Sequence, residues 1–296
     1  MVRHRHGALI ICGVCLLLIS GACAKKPDQR QYGLQGQVLA VADNHQQATI
    51  KHEEIKGFMA GMTMPYTVHD PKQLEGIGPG DLINAKLIVL SNDAYLTDVK
   101  KVGEAPLPKP PADVPSPSAS SGFELLKPGE AVPDTTFVDQ DGKKRTFQGF
   151  KGTPLLVTFI YTTCPMPAFC PLMDKHFSAI QKRLKEDAGL KGRVHLVSVS
   201  FDPVTDTPAV LKRHAMKLDA DPRTWTFLTG DRDEIDKFAS RFGVSVARSQ
   251  TDQRDITHNL RTAIVDADGK LVKVYTGNEW TPEQALTDLA PVVRAN

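Results

Sequence analysis

Two thiols, Cys164 and Cys170, stand with five residues between them in Thr163-Cys-Pro-Met-Pro-Ala-Phe-Cys-Pro171. Paired thiols bind soft metals or exchange disulfides. They follow an apolar strand pattern and precede an amphipathic helix pattern, the position at which α/β folds place their chemistry. His258, in Asp255-Ile-Thr-His-Asn-Leu-Arg261, adds an imidazole. Two thiolates and one imidazole form a low-coordinate donor set suited to Cu(I) and tolerable for Cu(II). By position alone, however, the thiols also read as a structural disulfide and His258 as a strand-end histidine.

A second group of soft donors lies upstream. Strand periodicity puts Ile50 and His52 on one face, and Met62, Met64 and Tyr66 on one face of the next strand. If these strands pair, an imidazole and two thioethers converge. Thioethers are poor ligands for zinc or calcium and good ones for Cu(I). From spacing alone, Met62 and Met64 also read as core residues and His52 as an ordinary surface histidine.

Prolines shape the cysteine segment. Pro165, Pro167 and Pro171 push the residues before them away from helix, so the helix is expected to start at Pro171, with Met173, Phe177, Ile180 and Leu184 on one stripe. A continuous helix would separate the sulfurs by about 9 Å of rise and about 240° of rotation. A loop instead folds Cys164 back toward Cys170 at the helix N-terminus, where the dipole favours thiolates. Asp202 and Asp206 read as caps of a helix starting near Pro208. His176 is expected to be solvated, and His69 and His214 carry no pattern.

The chain's 296 residues exceed the usual single-domain length. With 36 basic and 34 acidic residues there is no charge bias toward nucleic acid. Residues 104–122 are rich in proline and serine and read as a semi-extended linker. On its left, residues 30–103 show five short strand patterns, suggesting a small all-β barrel of the OB type. On its right, residues 123–296 run strand, helix, strand, helix, then a hairpin around Ala267-Asp-Gly269 and a last helix. That order belongs to an α/β thioredoxin-like sheet, which brings the His258 loop beside the cysteine loop.

At the N-terminus, Arg3 and Arg5 precede a short apolar run and small residues, so residues 1–23 read as a signal peptide. Ile19-Ser-Gly-Ala-Cys23 resembles a bacterial lipobox, which implies lipidation at Cys23 and a membrane anchor. Ala22-Cys-Ala24 also reads as an ordinary cleavage site. In both cases Cys12 and Cys15 leave with the signal, and the mature chain resides in the periplasm or cell envelope.

His52-Glu-Glu-Ile-Lys-Gly-Phe-Met-Ala-Gly-Met-Thr-Met64 resembles the metal-binding stretch of the CusF family of periplasmic copper-binding proteins, whose ligands are a His and the two Met of Met-x-Met. The resemblance implies copper at His52, Met62 and Met64. Some members carry a capping Trp three residues before the first Met. Met59 occupies that place here, beside Phe58, so that either Met59 adds a third thioether or the ring of Phe58 lies over the ion.

The larger unit resembles the Sco (SenC) family of copper chaperones through Thr158-Phe-Ile-Tyr-Thr-Thr-Cys-Pro165, Ser200-Phe-Asp-Pro-Val-Thr-Asp-Thr-Pro208, Trp225-Thr-Phe-Leu-Thr-Gly230 and His258. The resemblance implies copper at Cys164, Cys170 and His258, and a recipient cuproprotein such as cytochrome c oxidase subunit II. The family's usual spacing is Cys-x-x-x-Cys; two further residues here bring Met166 near. No catalytic residue is assigned. The alternative is a thiol-disulfide oxidoreductase or peroxidase using Cys164 and Cys170 as a redox disulfide, but Val157 stands where the peroxidase proline would be.

Overall fold

The computed structural model describes residues 29–107, 124–248 and 256–294. The expected signal peptide of residues 1–23, Cys23 included, and most of the proline-rich linker lie outside the described residues. Among those described, no helix is long and apolar enough to cross a membrane.

The first unit is built from β1 (Arg30–Val41), β2 (Gln47–His52), β3 (Met62–Val68), β4 (Asp81–Val89) and β5 (Ala94–Glu104), closed in the order β1-β2-β3-β5-β4. A 3-10 turn at Pro71–Leu74 joins β3 to β4. Alternation along β3 buries Met62, Met64, Tyr66 and Val68 and leaves Thr63, Pro65 and Thr67 more accessible, as the two-residue strand period requires. One glycine is forced by close approach. A Cβ on Gly36 would lie 2.6 Å from the Lys51 carbonyl oxygen and 2.8 Å from the His52 Cα, so only glycine lets β1 cross β2 at this point.

The second unit contains β6 (Thr136–Asp139), β7 (Lys144–Thr146), β8 (Leu155–Ile160), α1 (Cys170–Glu186), β9 (His195–Ser200), α2 (Pro208–Lys217) and β10 (Trp225–Thr229). It continues with α3 (Arg232–Arg241), β11 (Val246–Arg248), β12 (Ile256–His258), β13 (Arg261–Val265), β14 (Leu271–Thr276) and α4 (Pro282–Arg294). The sheet order is β14-β13-β8-β9-β10-β6-β7, with β11 and β12 as a separate two-stranded ribbon. Central β8 is buried at every position, as expected of a strand covered on both faces. β8, β9 and β10 are parallel, and β13 runs antiparallel to β8.

This is the thioredoxin-like order, and the α1 stripe of Met173, Phe177, Ile180 and Leu184 is buried as its period requires. Periodicity had not revealed the β6–β7 hairpin or the β11–β12 ribbon, because three- and four-residue strands are too short to establish a period.

The two units touch. The Thr257 hydroxyl on β12 donates to the Thr63 carbonyl on β3 at 2.6 Å. From α1, the Lys175 ammonium donates to the Ser91 carbonyl and the Asn92 side-chain oxygen in the β4–β5 turn.

Candidate metal centres

In the larger unit, Cys164 lies in the loop after β8, Cys170 opens α1 and His258 ends β12. Their ligand atoms all lie within 4.8 Å of one another, and Cys170 Sγ is 4.0 Å from His258 Nε2. With metal–sulfur bonds of about 2.3 Å, donors in a trigonal arrangement stand about 4 Å apart, so the cluster fits one soft ion after a small contraction. Both thiols are free and buried. His258 Nδ1 lies 3.1 Å from the Asn259 carbonyl oxygen, which leaves Nε2 as the ring nitrogen that faces the thiols.

Burial alone would raise the Cys164 thiol, but hydrogen bonds from Cys170 and His258 overcome it, and the backbone N–H of Cys170 adds to them. Cys164 is therefore held well below its ordinary value. Burial, followed by the adjacent Cys164, pushes Cys170 well above its own. The pair thus favours the thiolate form, the one that binds metal, at Cys164 rather than at Cys170.

The cysteine loop is fixed from outside. Asp206, fully buried, accepts from the Thr162 N–H at 3.0 Å, the Ser200 hydroxyl at 2.6 Å and the Thr162 hydroxyl. This corrects the expectation that Asp206 caps α2. Thr207 occupies the N-cap with no side-chain bond, because the Asp206 carboxylate points inward to join the ends of β8 and β9. Asp202 receives only a long 3.4 Å contact from the Thr205 N–H. Asn278 donates to the Ala168 carbonyl at 2.7 Å, holding the loop's far end.

Two histidine expectations also change. His176 is half-buried against Trp280, at a ring separation of 4.7 Å, with Nδ1 out of solvent, because α1 packs on the segment leading into α4. His214 lies 2.9 Å from Asp174, one turn along α1 from Cys170. Sequence reading had not singled out Tyr161. It lies edge-on to His258 at 5.4 Å, and burial and the neighbouring Cys164 raise its phenol. Its place three residues before Cys164 was the available signal.

In the barrel, β2 and β3 pair so that His52 lies opposite Met62 and Ile50 opposite Met64. Directly opposed residues share a face, so the imidazole and thioethers converge. His52 is buried at 3% exposure, which overturns its reading as a surface histidine. Its Nδ1 lies 2.6 Å from the Glu53 carbonyl oxygen, while the buried Nε2 has no hydrogen-bond partner. Burial lowers the His52 pKa, favouring the neutral ring that can ligate. An orphaned buried nitrogen beside two thioethers is what a soft-metal site requires.

Met59 is buried and accepts from the Tyr66 hydroxyl at 3.9 Å, and Tyr66 lies edge-on to His52. Phe58 stacks on Tyr32 at 4.5 Å, whereas Met59 is linked to His52 through the Tyr66 ring that both touch. Met62 and Met64 also line a cavity of about 10 Å³ whose other walls include Cys164, Met166 and His258.

Residues 126–294 match the SCO1/SenC family model. The chain belongs to the SCO1/SenC family. Its N-terminal residues 31–101 match the model described as copper binding periplasmic protein CusF. Similar to the SCO1/SenC unit is a SCO1 protein homolog of Bacillus subtilis, 34% identical over 55% of this chain and 83% of the relative. Among solved structures, a SCO1/SenC family lipoprotein from Bacillus anthracis is 30% identical, covering 58% of this chain and 98% of the other at a TM-score of 0.49. Copper-bound ScoI of Bradyrhizobium japonicum is 30% identical over 55% and 99%, at a TM-score of 0.46. Copper is the metal named in the description of the model that matches the N-terminal unit of this SCO1/SenC chain.

Proposed function

We propose that the chain is an extracytoplasmic copper carrier with two Cu(I) sites, one at His52, Met62 and Met64 with Met59 alongside, the other at Cys164, Cys170 and His258. The observation that carries this reading is the convergence of two buried thiols and an imidazole nitrogen within 4.8 Å. Each site offers soft sulfur donors and a histidine, the set that holds Cu(I) against harder cations. The chain is anchored through Cys23 at the outer face of a membrane, and the proline-rich segment of residues 104–122 tethers the barrel to the larger unit.

The recipient is a cuproprotein of the same compartment. One solved relative is described as a member of a family of cytochrome c oxidase assembly proteins, and subunit II of that oxidase, with its binuclear copper centre, is the recipient proposed here.

The test is copper stoichiometry with X-ray absorption on the reduced, intact protein. The wild type is expected to bind two equivalents with a sulfur-rich shell. A Cys164→Ser/Cys170→Ser variant should lose one equivalent while the barrel keeps its own, with thioether and imidazole scattering. Unchanged stoichiometry in that variant would sink the proposal.

A further inference from the structure

The two soft-donor clusters meet. Met62 and Met64 from β3 line the same small cavity as Cys164, Met166 and His258. At about 10 Å³ it has room for a single water-sized guest. The contact is not a chance touch of one side chain. Thr257, beside His258, bonds the backbone of Thr63, which lies between the two methionines. Lys175 on α1 holds the β4–β5 turn at a second point. A barrel docked through these points presents its thioether face to the cysteine loop.

We propose that the docked units form one interdomain copper pocket in which Cu(I) passes from the barrel to the thioredoxin-like unit by ligand exchange, without entering bulk water. This rests on the two-site reading above and adds to it a route and a direction. Thioethers and neutral imidazole are weaker donors to Cu(I) than thiolate, so transfer toward Cys164 and Cys170 is downhill. In the exchange, the copper bonds to Met62, Met64 and His52 break and bonds to Cys164, Cys170 and His258 form. The thiol proton of the pair leaves to solvent, copper stays Cu(I), and no electron moves. Met166, on the cavity wall between the two sets, supplies an intermediate thioether. The barrel also covers the site, so a recipient must displace the barrel to reach the metal.

The test uses the full reduced-and-reoxidised chain. With Cys164 and Cys170 closed as a disulfide, the barrel is loaded with one equivalent of Cu(I). A phosphine reductant then opens the disulfide in the presence of a coloured Cu(I) chelator of affinity similar to the barrel's. Direct handover predicts that copper stays on the protein, that the methyl resonances of Met62 and Met64 in ¹³C-methyl-methionine spectra return toward their metal-free positions, and that the captured fraction is insensitive to chelator concentration.

Lys175→Glu breaks a docking contact and touches no ligand; it should raise capture by about tenfold or more as the effective concentration of the docked face is lost. Thr257→Arg, which fills the interface, should act in the same direction, and its methionine spectrum reports whether the fold survives. Capture that scales with chelator and is equal in wild type and both variants overturns the handover while leaving the two sites standing. Failure of the disulfide form to take up copper before reduction removes the barrel site, and the handover with it.

Discussion

The barrel places its donors on paired strands, whereas the thioredoxin-like unit places them on a loop, a helix end and a three-residue strand. In the barrel, the β2–β3 ladder itself sets His52 opposite Met62, so the register of the backbone fixes the donors. In the larger unit no ladder joins the Cys164 loop to His258. Position there is set by side chains that are not themselves donors, the buried Asp206 on Thr162 and the half-buried Asn278 on Ala168 and His214 on Asp174. A strand-borne site is held by the same hydrogen bonds that make the sheet, while a loop-borne site needs its own anchors and is vulnerable through them.

Removing the main anchor gives the largest expected effect. Asp206→Ala would leave the Thr162 N–H and the Ser200 hydroxyl without their partner in the interior, at a cost of about 3 kcal/mol to the larger unit. Both tryptophans, Trp225 and Trp280, belong to that unit, so denaturation followed by tryptophan fluorescence reads it without the barrel. Copper at the cysteines should weaken while copper at His52, Met62 and Met64 is retained. Equal losses at both sites would break the distinction between strand-held and anchor-held donors.

The corresponding weak point of the barrel is backbone approach. Gly36 faces His52 in the β1–β2 register, and a Cβ there would enter the Lys51 carbonyl at 2.6 Å. Gly36→Ala is expected to force the strands apart and cost about 2 kcal/mol, in the range of overpacked interiors. Copper binding at the barrel should fall while tryptophan-detected stability is unchanged. A barrel that keeps its copper affinity in this variant would mean that the ladder tolerates displacement at its ligand row.

How far these features were legible in the sequence follows the same division. The strands of the barrel and the face shared by Met62, Met64 and Tyr66 could be read because a two-residue period is local, and the α1 stripe because a helical period is local. The cysteine loop was placed correctly because the ring of each proline restricts the residue before it. The role of Asp206 was not legible. Its neighbours Thr207 and Pro208 make a cap look natural, and only the fold brings Thr162, more than forty residues earlier, into reach. Gly36 is one of 22 glycines, and nothing local separates it from those that merely turn. Nor does spacing disclose that Met62 and Met64 face the cysteines, since that contact joins residues roughly a hundred or more apart across the linker.

Acid offers the mildest way to probe the anchored unit. His195 opens β9 and lies 2.8 Å from the Thr226 hydroxyl on β10. Burial depresses its pKa to about 4, against about 6.5 for an unperturbed histidine. Below pH 6.5 the unfolded chain therefore takes up a proton that the folded chain refuses, so stability that is full above that value is lost as pH falls toward 4. Between pH 7 and 5.5 this histidine alone should cost the metal-free protein about 1 kcal/mol, measured by tryptophan-detected denaturation. His195→Gln keeps a side chain able to reach Thr226 but carries no titrating group, so it should flatten that part of the pH profile. If the variant and the wild type lose stability in parallel from pH 7 to 5.5, the acid sensitivity lies in other buried groups, and the burial of His195 is not its source.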